Sequence, residues 1–521
     1  MSSGYGSSNH GGSRSWRWTR LVLTWAGILL VVMLFGLGPG SGSDGIVTAA
    51  AEGQSFAGGS GTAADPYLVA SAEQLDLVRQ YLDKHFLQTQ DIDLTPYANW
   101  DPIGSLYMAG AELLEEHIDG FTGTYDGGGY TISNLTFNAP ETDFAVGLFG
   151  LVEESGIVRR VNLVNVDVHG SDPVAGAVGF LAGGLIEDVH VSGSVRGYAA
   201  LGGITGIAVG LGVMEFEEFI AGLDPTTAMP QAPIVSIRNC SSSASVSGTN
   251  GFSEVIGGLV GMAFLVGIEH SQTSGAVSGG EFVGGMAGMV FASDIENSYA
   301  SGSTSGDESL GGLVGVAMQG SLITKSQASG EVSGQQIIGG LVGLLMEGST
   351  VLHSYSSGHV RGVESVGGLV GGITEKSSVD RSSSSSTVSG QDVLGGLAGM
   401  VMEDGSIQNS FATGNVYGNA LVGGLVGGLM QGSLVNTYAA GRVEGDEALG
   451  GLVGYKEIGT IEASYYDRHT TGQDDSDEGT PLTTMEMQRQ ASYQGWDFVT
   501  VWSIDEGSSY PYLQEAPSKS R

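Results

Sequence analysis

The feature that most constrains this chain is a pentapeptide, Gly-Gly-apolar-apolar-Gly. It begins at Gly257, Gly284, Gly311, Gly339, Gly367, Gly395, Gly423 and Gly450, always 27 or 28 residues after the previous copy. Gly202-Gly203-Ile204-Thr205-Gly206 is an earlier copy, and Gly147-Leu148-Phe149-Gly150 and the stretch from Gly179 to Gly183 are degenerate ones. A fixed period of this length marks a repeat architecture: one unit cannot bury its apolar face alone, so successive units must stack.

A second block keeps register with the first. It places a small residue after an apolar one, then a glycine four positions on and x-Val-x-Gly beyond, as in Ile407, Ser410, Gly414, Val416 and Gly418. Val189, Cys240, Ser271, Ser298, Ser326, Ser354, Ser382, Ser410, Thr437 and Ser464 fill the small slot. That column favours reading Cys240, the single cysteine, as a buried structural thiol rather than a nucleophile. Two positions earlier the residues are Glu187, Arg238, Glu269, Glu296, Thr324, Leu352, Asp380, Gln408, Val435 and Glu462. No chemistry is repeated there, as expected of a solvated face.

Each repeat holds two or three short apolar stretches of alternating character, separated by glycines that permit tight corners, and none has the period of a helix. The expected fold is all-β: a parallel β-solenoid (β-helix) of ~28-residue coils, with a small helix-containing N-terminal cap and an aromatic C-terminal cap. The sequence leaves the hand of the coil open.

The pentapeptides and blocks such as Ser354-Tyr355-Ser356-Ser357-Gly358-His359-Val360-Arg361-Gly362 resemble those of the GLUG-motif proteins. That family is found in exported bacterial proteins, some of them adhesin-like or peptidase-associated. The segments Gly61 to Val69, Ala72 to Leu82, Asp91 to Leu94 and Phe121 to Gly128 are similar to the family's opening module. Ser464 to Asp467, Leu482 to Met487, Gly495 to Phe498 and Trp502 to Leu513 are similar to its closing module. Physically these flanks suit caps, because an open solenoid end exposes unpaired strand edges. An amphipathic Ala72 to Leu82 would cover the first coil. Trp496, Phe498, Trp502, Tyr510 and Tyr512 would plug the last, a reading favoured over sugar stacking. The resemblance is informative about architecture and weak about activity.

Arg14, Arg17 and Arg20 precede the apolar run Leu21 to Gly36, which reads as an export signal cleaved after Ala49 or Ala51. An uncleaved anchor formed by residues 21–38 is the alternative. Either way the expected location is extracellular, secreted or at the cell surface. The formal net charge is −37, which repels nucleic acid and anionic lipid and speaks for solubility, with scattered calcium binding as the lesser reading. The expected organisation is residues 1–49 as signal or anchor, 50–145 as N-terminal capping module, 146–466 as solenoid with an insertion at 207–233, and 467–521 as C-terminal cap and tail.

No motif in the chain assigns a catalytic, metal or cofactor residue. His10, His85, His117, His169, His190, His270, His353, His359 and His469 form no i, i+4 pair, and no His-Glu-x-x-His, nucleophile elbow or phosphate loop is present. Glu269 and Glu296 fall in one column of adjacent coils, near the separation of a retaining glycosidase pair, but in a column with no fixed chemistry. Asp474 to Gly479 lacks the spacing of a calcium loop and reads as an acidic turn. The insertion holds a helix-like Met214 to Ile220 and Pro225, Pro230 and Pro233; it serves recognition or covers a flank. The leading expectation is a structural or adhesin-like interaction module, with no intrinsic catalysis, whose partners are cell-wall or extracellular polysaccharide or surface proteins. The alternatives are a polysaccharide-binding protein and, less favoured, a β-helix glycoside hydrolase or lyase.

Overall fold

The computed structural model describes residues 55–109, 112–140, 145–211, 235–249, 254–474 and 478–514. Residues 1–49, the helix-like Met214 to Ile220 and the three prolines of the insertion lie outside that set. Within it the chain is a parallel β-solenoid of about eleven turns.

One coil shows how the repeat is spent. Its strands are Glu308–Gly311, Val314–Met318, Leu322–Thr324, Gln327–Ala328 and Val332–Ser333. Each pairs in parallel with its counterpart one repeat on, with Leu310 opposite Ile338, Val314 opposite Val342, Ile323 opposite Val351, Ala328 opposite Ser356 and Val332 opposite Val360. The strands that enter the pentapeptide form a ten-stranded sheet, and the other four belong to a 44-stranded one. Five strands exceed the two or three read from the sequence. The last two are two residues long and bury a single side chain each, too little to register as an apolar run.

Alternate residues point inward. Leu310, Leu313, Val314, Ala317, Ile323, Ala328 and Val332 form part of one continuous core that runs from Val69 to Tyr466. A fully buried aliphatic side chain contributes about 1.5–3 kcal/mol, so like-on-like stacking, not any single coil, holds the rod.

The pentapeptide glycines do not act as left-handed corners. At Gly311 an added Cβ would lie 1.8 Å from the Val314 carbonyl oxygen, and at Gly312 one would lie 2.2 Å from the Gly340 oxygen of the next coil. They are required because backbone passes where a side chain would be. The positive-φ positions are filled largely by other residues: Asn297 (φ 49°), Lys325 (48°), His353 (48°), Arg381 (44°) and Asn409 (45°) each stand immediately before the small slot. Sequence reasoning assigned tight turning to glycine; the structure gives glycine close approach and leaves the turn to these polar residues, of which asparagine tolerates the left-handed region best.

That turn sets up the small slot. The backbone N–H of Ser271 donates to the hydroxyl of Ser298 in the next coil, and the link repeats from Ser298 to Ser326, from Ser326 to Ser354, from Ser354 to Ser382 and from Ser382 to Ser410, at 3.1–3.2 Å. Each hydroxyl donates in turn to the carbonyl two residues earlier, as Ser326 does to Thr324 at 2.9 Å. From Ser271 to Ser410 the slot is therefore filled by a small side chain that both accepts and donates in a buried place.

At the N-terminal end, Tyr67–Val69, His85–Gln88 and Thr124–Asp126 extend the same parallel ladder into Phe149–His169. The ladder thus continues through residues that the sequence suggested as a separate capping module. The helix runs over Ala72–Leu77 and tightens into a 3-10 turn at Val78–Gln80, ending sooner than the expected Leu82. Ser71 caps it by accepting from the Gln74 N–H at 3.3 Å, and Leu75 and Val78 are fully buried in the solenoid core.

At the other end, Tyr466 takes the inward column held by Ala412 and Ala439 and fills the interior. The C-terminal aromatics instead pack sideways, on the outward-facing Phe411, Tyr438 and Tyr465. Trp496 Nε1 donates to the Ala463 carbonyl at 2.8 Å, and the Tyr438 hydroxyl to the Pro511 carbonyl at 2.8 Å. The expected end plug is a flank cover, because the interior is already closed by Tyr466.

The insertion also begins later than read. Thr205–Val209 is a ladder strand paired with Val178 to Ala182 on one side and Val260–Phe264 on the other, so residues 207–209 belong to the solenoid. The ladder resumes at Val235–Arg238.

Candidate functional site: the outer columns

The polar column that looked chemically empty carries alternating charge over its first coils. Asp126, Arg159, Glu187, Arg238 and Glu269 are successive register partners. Arg159 Nε lies 3.0 Å from Asp126, which Arg160 also grips, and Arg238 Nε lies 2.8 Å from Glu187. Burial pushes the Asp126 carboxyl up, but hydrogen bonds from Arg160 and the Gly128 N–H, with the charge of both arginines, outweigh it and hold it below the usual range. Sequence reading placed Glu187, Arg238 and Glu269 in this column but not Asp126 and Arg159, which lie in the less regular first coils.

Glu269 and Glu296, the paired carboxylates singled out by spacing, are indeed register partners in adjacent coils. Arg238 borders Glu269 on the other side, and Lys325 Nζ reaches Glu296 at 3.1 Å. Glu269 is exposed and Glu296 half-exposed. The pair sits on an open, cation-flanked face.

Cys240 is 1% exposed and its thiol is pushed up to about 12 by burial. The Sγ donates toward the Arg238 carbonyl at 3.3 Å, and the Cys240 N–H donates to Ser271, so the residue occupies the serine ladder. A serine–histidine contact, missed in the sequence, joins His190 Nδ1 to Ser241 at 2.7 Å. The two are register neighbours on the outside, next to Asn162 and Gln272, and meet as any polar residues in one column meet. Among the described residues no three of His, Cys, Asp and Glu gather where they could hold a metal ion. Asp475 to Asp477 of the acidic turn lie outside the described residues, and Glu478 is paired with Lys456 at 2.8 Å.

The aromatic faces at the C-terminus are used in packing. Trp502 is fully buried and stacks on Trp496 at 4.3 Å, and Phe411 stacks on Tyr438 at 4.8 Å.

A second apolar cluster lies outside the core. In the strands that follow the pentapeptide, Phe180, Ile207, Met262, Met289, Val316 and Leu344 form one outward column. Val209, Phe264, Phe291 and Met318 form its neighbour, with the two phenylalanine rings stacked at 4.9 Å. The sequence does not place these side chains, since a two-residue period between glycines does not say which face is which.

No family model matches the chain. A stretch of 150 residues, 27% of the chain, is 37% identical to a protein of Evansella cellulosilytica named "Putative Gly-rich membrane protein", and one of 152 residues, 28% of the chain, is 35% identical to Halomucin of Haloquadratum walsbyi. The matches span 16% and 2% of those two proteins. A solved chain from Bacteroides ovatus, described as "a putative immunoglobulin A1 protease", overlaps 89% of this chain and 96% of its own length, at 18% identity and a TM-score of 0.34. Among the described residues no helix is long and apolar enough to cross a membrane.

Proposed function

We propose that this chain is an exported, rod-forming module of the GLUG-motif kind, displayed at or released from the cell surface. There it presents its outer columns to surface proteins or extracellular polysaccharide and turns over no substrate of its own. The observation that carries this reading is where the repeated polar chemistry goes. The serines are consumed inside as rungs between coils, and the charged column neutralises itself. The Arg14 to Gly36 segment, the strong negative charge and the names of the partial relatives support an outward location.

Two experiments test it. Externally added protease on intact cells should degrade the chain; full protection would overturn the location. The purified chain, incubated with isolated cell walls, insoluble polysaccharides and surface-protein extracts, should bind at least one. Bond cleavage in a polysaccharide substrate, abolished by Glu296→Gln, would overturn the non-catalytic reading.

A further inference from the structure

One strip on the outside of the rod carries no charge, although the chain as a whole has a formal net charge of −37. Gln272, Tyr299, Gln327, Tyr355, Ser383 and Phe411 are successive register partners beside the serine ladder. Two residues on, every coil from Ser274 to Thr413 carries a hydroxyl. The residue between the two columns, such as Ala300 or Ala328, belongs to the core, so both columns face away from it. Amides, hydroxyls and aromatic rings are the whole chemistry of the strip.

The aromatic members recur on every second coil, and two of them share a geometry. The Tyr299 hydroxyl hydrogen-bonds Ser329 at 2.5 Å, and the Tyr355 hydroxyl hydrogen-bonds Ser385. Each serine belongs to the following coil, two residues past the tyrosine's register partner, Gln327 or Ser383. A phenol held at its tip by the next coil lies along the rod instead of standing out from it, and turns one ring face outward. Both tyrosines are half-buried accordingly. Two inter-coil steps of ~4.8 Å separate the rings. That matches the disaccharide repeat of an extended β-1,4-linked chain, in which every second sugar turns the same face to one side.

The continuation of the column shows what such rings take. Phe411 and Tyr438, the next aromatic members, pack against Trp502 of the C-terminal flank, with ring centroids 6.1 and 6.2 Å away. There a flat group of the chain itself fills the face. Tyr355 and Tyr299 lie two and four coils short of Phe411. An acidic polymer would find no cation in the strip and a basic one no acid. Ring faces suit the C–H face of a hexose, and the flanking amides and hydroxyls suit its hydroxyl groups.

We propose, on the reading of the outer columns as contact surfaces, that the strip from Gln272 to Ser385 binds a neutral polysaccharide of β-1,4-linked hexoses, laid along the rod with alternate sugars on Tyr299 and Tyr355.

The test is affinity electrophoresis of the purified full chain in gels cast with hydroxyethylcellulose, galactomannan or, as the acidic counterpart, alginate. At least one neutral polymer should retard the chain. Tyr299→Gln with Tyr355→Gln should weaken that binding about tenfold, and either substitution alone should weaken it less. The far-UV circular dichroism should not change, because Gln272 and Gln327 already occupy the column. Equal retardation of the folded double variant would overturn the site while leaving other outer columns as contact surfaces. Retardation by alginate as strong as by the neutral polymers would overturn the neutral ligand. No retardation in any gel would overturn the proposal, and binding of surface-protein extract by the same sample would then show that the broader reading survives it. A surface protein captured by the native chain and lost from the double variant would assign the strip to protein and overturn the glycan.

Discussion

The backbone N–H of Ser326 donates to the hydroxyl oxygen of Ser354 one coil further on, at 3.2 Å, and that hydroxyl donates to the Leu352 carbonyl at 2.9 Å. Ser354→Ala leaves the Ser326 N–H buried without a partner, at a cost of about 1–3 kcal/mol. Threonine at this position should be tolerated, because Thr437 occupies the same buried column with its hydroxyl hydrogen-bonded to that of Ser464 at 2.9 Å. Urea unfolding ranks the three chains, and the Ser326 amide should exchange faster in the alanine variant alone.

Gly311 and Gly320 make opposite demands. A Cβ on Gly311 would meet the Val314 oxygen at 1.8 Å, although its φ is not in the left-handed region. Gly320 has a φ of 74° but nothing within 4 Å of its Cβ. Gly320→Ala should therefore cost about 1–2 kcal/mol of left-handed strain. Gly311→Ala, which forces backbone apart inside a two-sheet corner, should cost more than about 4 kcal/mol. Equal losses in chemical unfolding would show that close approach is not what the pentapeptide is for.

Residues 339–366 form one period, from one pentapeptide to the next. Their removal stacks Val314 on Val370 and Ser326 on Ser382, restoring every column, so the shortened chain should fold into a rod shorter by ~4.8 Å in solution scattering. Removing half as much, residues 353–366, brings a pentapeptide to where the serine slot belongs and should abolish the folded circular-dichroism signal. Stability that sums over neighbouring units predicts this contrast.

Glu347, Glu375 and Glu403 stand one above another on successive turns, with the Gly348 N–H donating to the Glu375 carbonyl and the Lys376 N–H to the Glu403 carbonyl. One carboxylate oxygen of Glu347 and one of Glu375 lack a hydrogen-bond partner. Burial first, and then the charges of Glu347 and Glu403, hold the Glu375 carboxyl above its ordinary value. The folded chain therefore takes up its proton before the unfolded chain does, and it is penalised above that pH and relieved below it. Glu375→Gln should raise the unfolding midpoint at neutral pH, and the gain should vanish as pH falls toward about 4. A gain that persists in acid would refute the electrostatic origin.

The coil, its period and its small column were legible because ten copies average out local noise. Ser326 and Ser354 declare themselves by recurring where Cys240 and Thr437 also fit. What stayed hidden was whatever depends on direction. The sequence shows that Gly311 recurs but not that a carbonyl fills the space beside it. It shows Val314 and Val316 as equals, although one lies inside and the other out. The Asp126, Arg159, Glu187 and Arg238 alternation emerges only when the less regular first coils, which carry Asp126 and Arg159, are laid in register with the column that the repeats reveal from Glu187 on. The C-terminal tryptophans read as an end plug because Tyr466, one aromatic among many, did not announce that it closes the interior.

Every rung of the ladder joins a coil only to the coils immediately before and after it, and the chain enters at one end of the rod and leaves at the other. A tether pulled from both ends would therefore be loaded in series, each interface bearing the whole tension and yielding independently of distant ones. Each failure would pay out one coil of ~28 residues, roughly 95 Å of slack at full extension, while the remaining coils keep their shape. A rod of this construction lengthens by instalments under strain instead of snapping.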